Sequence, residues 1–304
     1  MQLAVTGANG AIGRIVLRAA LAHPEQPQLL AIVRSERAER ELPPIPKDRG
    51  EVRRADYHDL DSLRSALLGA ESLVHLPGIL VEGPGVSFMS AHVDVTRNVV
   101  AAAREVGVRK LVVVSTCGAD PRASNAFLQS KGQADALACE ASIPYTVLRA
   151  PLVLGAATAG GKALRGAASR ALCWLIGGGN TLHRPLDVWD LAEACLCAAC
   201  HVERARNCIL DLVGPEAVRY RDLVERAARC AGRAVRIAPL PLLPLRLGLG
   251  LIYRLRGMGF SPDALEVLLT DTSADPTPAC RELGIELTPL DSTIERSLRD
   301  EEDA

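Results

Sequence analysis

Three glycines near the start of the chain, Gly7, Gly10 and Gly13, stand in Gly-x-x-Gly-x-x-Gly spacing directly after the strand-like run Gln2 to Thr6. Glycine at this spacing permits a tight turn and the close approach of backbone to a pyrophosphate. An apolar-periodic helix (Ile12, Ile15, Val16, Ala19) begins among them. Its first turn offers unpaired N–H groups and a positive dipole end to the same phosphate. Gly7, Asn9, Gly10, Ala11, Ile12 and Gly13 are therefore candidate dinucleotide contacts. A second apolar run, Gln28 to Val33, ends in Arg34. An acidic residue at such a strand end accepts a bond from the adenosine 2′-hydroxyl, whereas arginine pairs with a 2′-phosphate. Arg34 holds that place without an Asp or Glu beside it, so NADP is expected rather than NAD.

Other residue types suggest chemistry that their setting argues against. Cys197-Ala198-Ala199-Cys200-His201 matches the Cys-x-x-Cys-His haem attachment pattern. It lies within a helical pattern from Asp190 to His201, where cysteines at these spacings spread around the axis and suit apolar packing better than haem or zinc. No metal site is expected. His75 reads as a packed strand residue.

The elements that must position these residues follow in order. Strands are expected at Glu51–Ala55, Ser72–Leu76, Arg109–Val114 and Pro144–Leu148, with helices at about Ser90–Val106, ended by Gly107, and Asn125–Ala141. Asp59 or Asp61 can cap the helix carrying Leu63, Ala66 and Leu67. Strand alternating with helix over short links implies right-handed βαβ units and a parallel sheet, a Rossmann-type doubly wound α/β fold. Strand ends on one edge of such a sheet face the cofactor. That adds Asp56 and Tyr57 after the third strand, Leu76, Pro77 and Gly78 after the fourth, and Pro151 after the sixth.

Composition narrows the function classes. The 304 residues carry 35 basic and 36 acidic side chains, a balance without the field that would favour nucleic acid. Two Trp, four Tyr and three Phe argue against base-stacking platforms. Met1 leads straight into a strand without an export signal, so a cytoplasmic setting with reduced thiols is expected for the nine Cys.

The quoted segments resemble a family. Thr6 to Gly13 is similar to the TGxxGxxG fingerprint of extended and atypical short-chain dehydrogenases/reductases. His92 to Asn98, Leu111 to Thr116, Leu148 to Gly155 and Arg184 to Ala192 are similar, in order, to that family's later motifs. The nearest look is to its NmrA-like branch, which includes the reductase-like accessory subunit of respiratory complex I. The resemblance implies a Tyr-x-x-x-Lys pair on the helix after the fifth strand, with the Lys holding the nicotinamide ribose and the Tyr transferring a proton. Here that segment is Phe127-Leu128-Gln129-Ser130-Lys131: the lysine is present and the tyrosine is not. The family's catalytic serine falls near Ser115 to Cys117. Ser115 and Lys131 are thus the candidate catalytic residues, and both also count as cofactor contacts. His92, Cys117 and Tyr145 are lesser candidates for a proton donor.

Residues 1–155 with about 184–213 are expected to form the NADP-binding domain. About 156–183 with 214–304 would form a smaller, mostly helical lid, including a helix over Lys162–Ile176. Residues 239–256 are strongly apolar but broken by prolines and Arg246. Two readings stay open for them: a greasy pocket wall or partner face, and a peripheral contact with a membrane or membrane complex. The expected function is NADPH-dependent reduction of a small apolar substrate. The alternative is a non-catalytic NADP-binding redox sensor or assembly factor. A nucleotide-sugar epimerase or dehydratase is disfavoured by the absent tyrosine.

Overall fold

The computed structural model describes residues 1–76, 78–241 and 262–299. The strands are β1 (Gln2–Thr6), β2 (Gln28–Val33), β3 (Gly50–Arg54), β4 (Ser72–His75), β5 (Lys110–Thr116), β6 (Tyr145–Ala150), β7 (Val153–Leu154), β8 (Leu172–Ile176), β9 (Leu182–His183), β10 (Leu186–Asp187), β11 (Cys208–Asp211), β12 (Val218–Arg219) and β13 (Arg236–Leu240). The helices are α1 (Ala11–Ala22), α2 (Glu36–Arg40), α3 (Leu60–Leu67), α4 (Val95–Glu105), α5 (Ala126–Cys139), α6 (Ala159–Ala168), α7 (Val188–Cys200), α8 (Tyr220–Cys230), α9 (Pro262–Leu268), α10 (Thr277–Leu283) and α11 (Leu290–Leu298).

Seven strands form one parallel sheet in the order β11-β6-β5-β4-β1-β2-β3. Strand order reverses beside β1, which pairs with both β2 and β4. In a doubly wound sheet, ligands bind outside the carboxyl ends at such a reversal. The expected fold is borne out.

Leu3-Ala4-Val5 and Leu29 to Val33 are continuous apolar runs because the sheet is covered on both faces. Alternate residues divide between two cores. Leu3, Val5, Leu29, Ala31 and Val33 face the core built with α1 and α7. Ala4, Leu30 and Ile32 face the core built with α3 and α4. The cysteines of α7 belong to this packing: Cys195 is fully buried in the first core, and burial pushes its thiol up to about 12. Gly107 stands just past α4 with φ +81, the left-handed geometry of a helix stop. A π-helical turn, Met89–Asp94, precedes α4 and departs from the regular helix expected from Ser90.

A third core contains Leu154, Leu164, Leu175, Val218, Leu223 and Ile294, supplied largely by α6, β8, α8 and α11. The helix expected over Lys162–Ile176 is corrected here. α6 stops at Ala168, and Leu172–Ile176 is β8, paired in parallel with β13. Cys173 and Leu175 point inward while Leu172 and Trp174 are exposed, a period-two pattern that only the distant strand β13 makes stable. Ala279 and Leu283 of α10 pack instead into the first core. Among the described residues no helix is long and apolar enough to cross a membrane. Of the apolar stretch 239–256, residues 242–256 lie outside the described residues.

Candidate functional site

The glycine loop joins β1 to α1 at the carboxyl edge of the sheet. Gly7 adopts φ +71, and its carbonyl accepts from the Gly10 N–H at 3.0 Å. A Cβ at Gly13 would collide with the carbonyl oxygens of Gly7 and Ala8, the latter at 2.7 Å. The helix start therefore lies directly on the loop. Gly10 caps α1 without a side-chain bond, so the N–H groups of Ala11 and Ile12 remain open to an acceptor. This backbone cradle fits a pyrophosphate. Asn9 lies beside it, its Nδ2 donating to Glu41 Oε2 at 2.9 Å.

Tyr57 supports the loop from beneath. It is 3% exposed; its hydroxyl accepts from the Gly7 N–H at 2.8 Å and donates to the Ile32 carbonyl at 3.0 Å. Burial pushes this phenol up to about 12, so it remains protonated and able to donate. Asp56, next to it, is exposed and accepts from the His58 N–H at 2.9 Å. Arg34 is exposed at the end of β2, and its charge reaches the Tyr57 hydroxyl. Leu76 follows β4, its N–H bonding to the Thr6 carbonyl at 3.2 Å. Pro77 lies outside the described residues, and Pro151 is half-buried just after β6.

Lys131 and Ser115 meet where β5 ends. Lys131 is buried, and its Nζ donates to the Val114 carbonyl at 3.1 Å. Burial pulls its pKa down, opposed by the charge of Asp135. A Cβ added to exposed Gly78 would lie 3.9 Å from Lys131 Nζ and 3.6 Å from His92 Nε2. The loop after β4, the π-helical turn and α5 thus converge on one place.

His92 is an aromatic packing residue there. The Ser130 hydroxyl donates to the Phe127 carbonyl at 2.8 Å, which leaves His92 Nδ1–H donating to Ser130 Oγ at 2.8 Å. His92 Nε2 then accepts from the Ile79 N–H at 3.1 Å. Burial and the nearby Lys131 charge push the ring down to about 3, so it is neutral with both nitrogens engaged. Phe127 stacks edge-on against His92 and Phe88 at centroid distances of 5.6 and 5.4 Å. His75 is the packed strand residue expected: 2% exposed, bonded to the Thr6 and Thr96 hydroxyls, and also pushed down to about 3.

Tyr145 and Cys117 are the two other proton-donor candidates. Tyr145 begins β6, opposite Leu111 near the start of β5, so it lies at the amino edge away from Ser115. The Cys117 thiol is pushed up to about 12 by burial and bonds the Arg149 carbonyl at 3.4 Å.

Two site residues escaped the sequence reading. Asp135 is 2% exposed, and its Oδ2 accepts from Arg149 Nε at 3.0 Å. The Lys131-x-x-x-Asp135 spacing was a usable signal for the first. Arg149 acquires its meaning only once β6 lies beside β5. Alongside α1, Ala11, Arg14, Arg18, Thr158, Trp189 and Arg296 line a cavity of about 200 Å³, which does not include Lys131 or Ser115.

Comparison with known proteins agrees with this geometry. The chain is 26% identical over 228 residues to the mitochondrial NADH dehydrogenase (ubiquinone) 1 alpha subcomplex subunit 9 of Arabidopsis thaliana, covering 73% of this chain and 56% of that protein. It is 29% identical over 149 residues to quinone oxidoreductase 2 of Escherichia coli, covering 49% of this chain and 48% of that protein. The chain spans about half the length of the curated relatives it matches. A triphenylmethane reductase of Citrobacter sp., solved in complex with NADP(H), shares the fold with a TM-score of 0.74 at 22% identity, covering 97% of this chain and all of that one. Residues 7–170, more than half of the chain and including the glycine loop, Arg34, Ser115 and Lys131, match the NAD(P)H-binding family, to which this protein belongs.

Proposed function

We propose that the protein is an NADPH-dependent reductase of a small, apolar substrate, with a cytoplasmic setting. The observation that supports it most is the placement of a phosphate cradle at Gly7–Gly13 and a buried lysine at the end of β5 along the same carboxyl edge of the sheet. When bound, the reduced nicotinamide supplies a hydride. The backbone of Ala11 and Ile12 holds the pyrophosphate, and Arg34 takes the 2′-phosphate. Asn9, Asp56, Leu76, Gly78 and Pro151 border the remainder, and Tyr57 keeps the loop in shape. Lys131 donates to the nicotinamide ribose, and the Ser115 hydroxyl faces the reacting end. The proton that accompanies hydride transfer comes from the Lys131 ammonium or from solvent, because Phe127 has none to give. The third core, supplied largely by α6, β8, α8 and α11, walls the substrate side.

The quinone and dye reductases among its relatives support the oxidoreductase reading. Calorimetry with NADPH and NADH on the purified chain tests it: NADPH is expected to bind more tightly, and absence of binding to either ends the proposal.

Phe127 favours a second reading, a cofactor-binding sensor or an accessory factor of a membrane complex. The likeness to a complex I subunit supports that one. Phe127→Tyr separates the two once a reducible substrate is found. A reductase that never used residue 127 gains nothing, whereas a decayed site regains rate.

A further inference from the structure

Asp135 is a buried carboxylate with no part in the function proposed above. It sits one helical turn beyond Lys131 on α5, so the two side chains share a face. One of its oxygens is held by Arg149 across from β6. The other, Oδ1, is buried without a hydrogen-bond partner among the described residues, and so is Ser115 Oγ. Burial pushes the Asp135 carboxyl up, and Ser115, Lys131 and Arg149 oppose that shift by favouring its charged form.

The groups around Lys131 come from every neighbouring element. His75 on β4 and His92 on the π-helical turn are neutral, and their ring nitrogens are engaged. β5 contributes the Val114 carbonyl and Ser115, and the turn beyond it carries the Cys117 thiol, which burial keeps protonated. β6 contributes Arg149, already tied to Asp135. Asp135 is the carboxylate whose charge acts on Lys131. An ammonium buried among neutral rings loses its proton readily unless an anion stands beside it.

We infer that Asp135 is a positioning residue: anchored by Arg149 and one helical turn from Lys131, it favours the charged lysine at the carboxyl edge of β5, where a nicotinamide ribose would accept from it. This rests on the NADPH reading above. It adds that the lysine works only as part of a Lys131–Asp135–Arg149 unit.

NADPH affinity, followed by its fluorescence between pH 7 and 10, tests the role. The window lies above the 2′-phosphate titration near pH 6. It also excludes His75 and His92, at about 3, and Cys117, at about 12. Lys110 titrates within it at about 8, but from the opposite end of β5, and the variant Lys131→Met subtracts its effect. In the unaltered protein, affinity is expected to fall with rising pH across this window as Lys131, whose pKa burial lowers, loses its proton. Asp135→Asn should move that fall down by about one pH unit or more, and Asp135→Glu should restore it.

A fall already complete at pH 7 in the unaltered protein overturns the inference, whether or not Asp135→Asn folds. So does an unshifted profile in a folded Asp135→Asn. Binding that is absent in both the unaltered protein and Lys131→Met overturns the cofactor reading, and this role with it. Binding that persists with an unmoved profile removes Asp135 alone.

Discussion

Arg34 and Phe127 pull the functional argument in different directions, and each is a matter of one side chain. Arg34 stands exposed where the 2′-phosphate is expected, and the contribution proposed for it is a charge-assisted bond to a group that NADH lacks. Arg34→Ala is therefore expected to weaken NADPH binding about tenfold or more and to leave NADH unchanged, as read by calorimetry. Equal losses for both nucleotides would show that Arg34 supports the loop rather than the phosphate. Phe127 stands where the resemblance to short-chain dehydrogenases/reductases implies a tyrosine, and its ring packs in a cluster with Phe88 and His92. Both facts could be weighed from the chain alone, because each depends on residue type at a known spacing. Asp135 could not, because its partner Arg149 arrives from β6 only when the sheet has formed.

At the scale of elements, β1 and the start of α1 were legible because everything that shapes them is local: glycine spacing, an apolar run and a helix start. The same holds for α5, whose cap, Asn125, accepts from the Leu128 N–H at 3.1 Å. β8 was misread as helix because its pairing partner β13 is far along the chain and its five residues hold too few alternations to reveal a period. The π-helical turn at Met89–Asp94 was equally hidden. Its reason is tertiary, since it carries His92 in to Ser130 and Phe127. Tyr57 shows how one element holds another, joining the loop after β3 to Gly7 and Ile32. Tyr57→Phe leaves a buried N–H and a buried carbonyl unpartnered. It is expected to lower stability by about 1–3 kcal/mol in denaturant unfolding, with NADPH affinity falling as well. Unchanged affinity in a folded variant would mean that the loop holds its shape without Tyr57.

The whole molecule responds to acid through its buried histidines. His75 and His92 are neutral in the native state, down to about pH 3, against 6.5 for a free ring. Below pH 6.5 the unfolded chain takes up protons that the native state refuses. Their part in stability is therefore complete above pH 6.5 and is lost as pH falls toward 3, by up to about 1.4 kcal/mol per pH unit for each ring. Melting temperatures measured from pH 7 to pH 4 should fall, and His75→Gln should flatten the slope. A slope unchanged by that substitution would place the acid sensitivity elsewhere.

The third core shares no buried residue with the two cores that cover the sheet. Its opening can thus be a separate event with a smaller free energy than global unfolding. Amides of α6 and α8 should exchange with deuterium sooner than those of β1, β4 and β5. A molecule gripped by both parts would slow exchange in the third core as its concentration rises, by mass action alone. Exchange rates in α6 and α8 can then report occupancy by a substrate before any turnover assay exists, which turns an architectural division into a means of screening for the missing ligand.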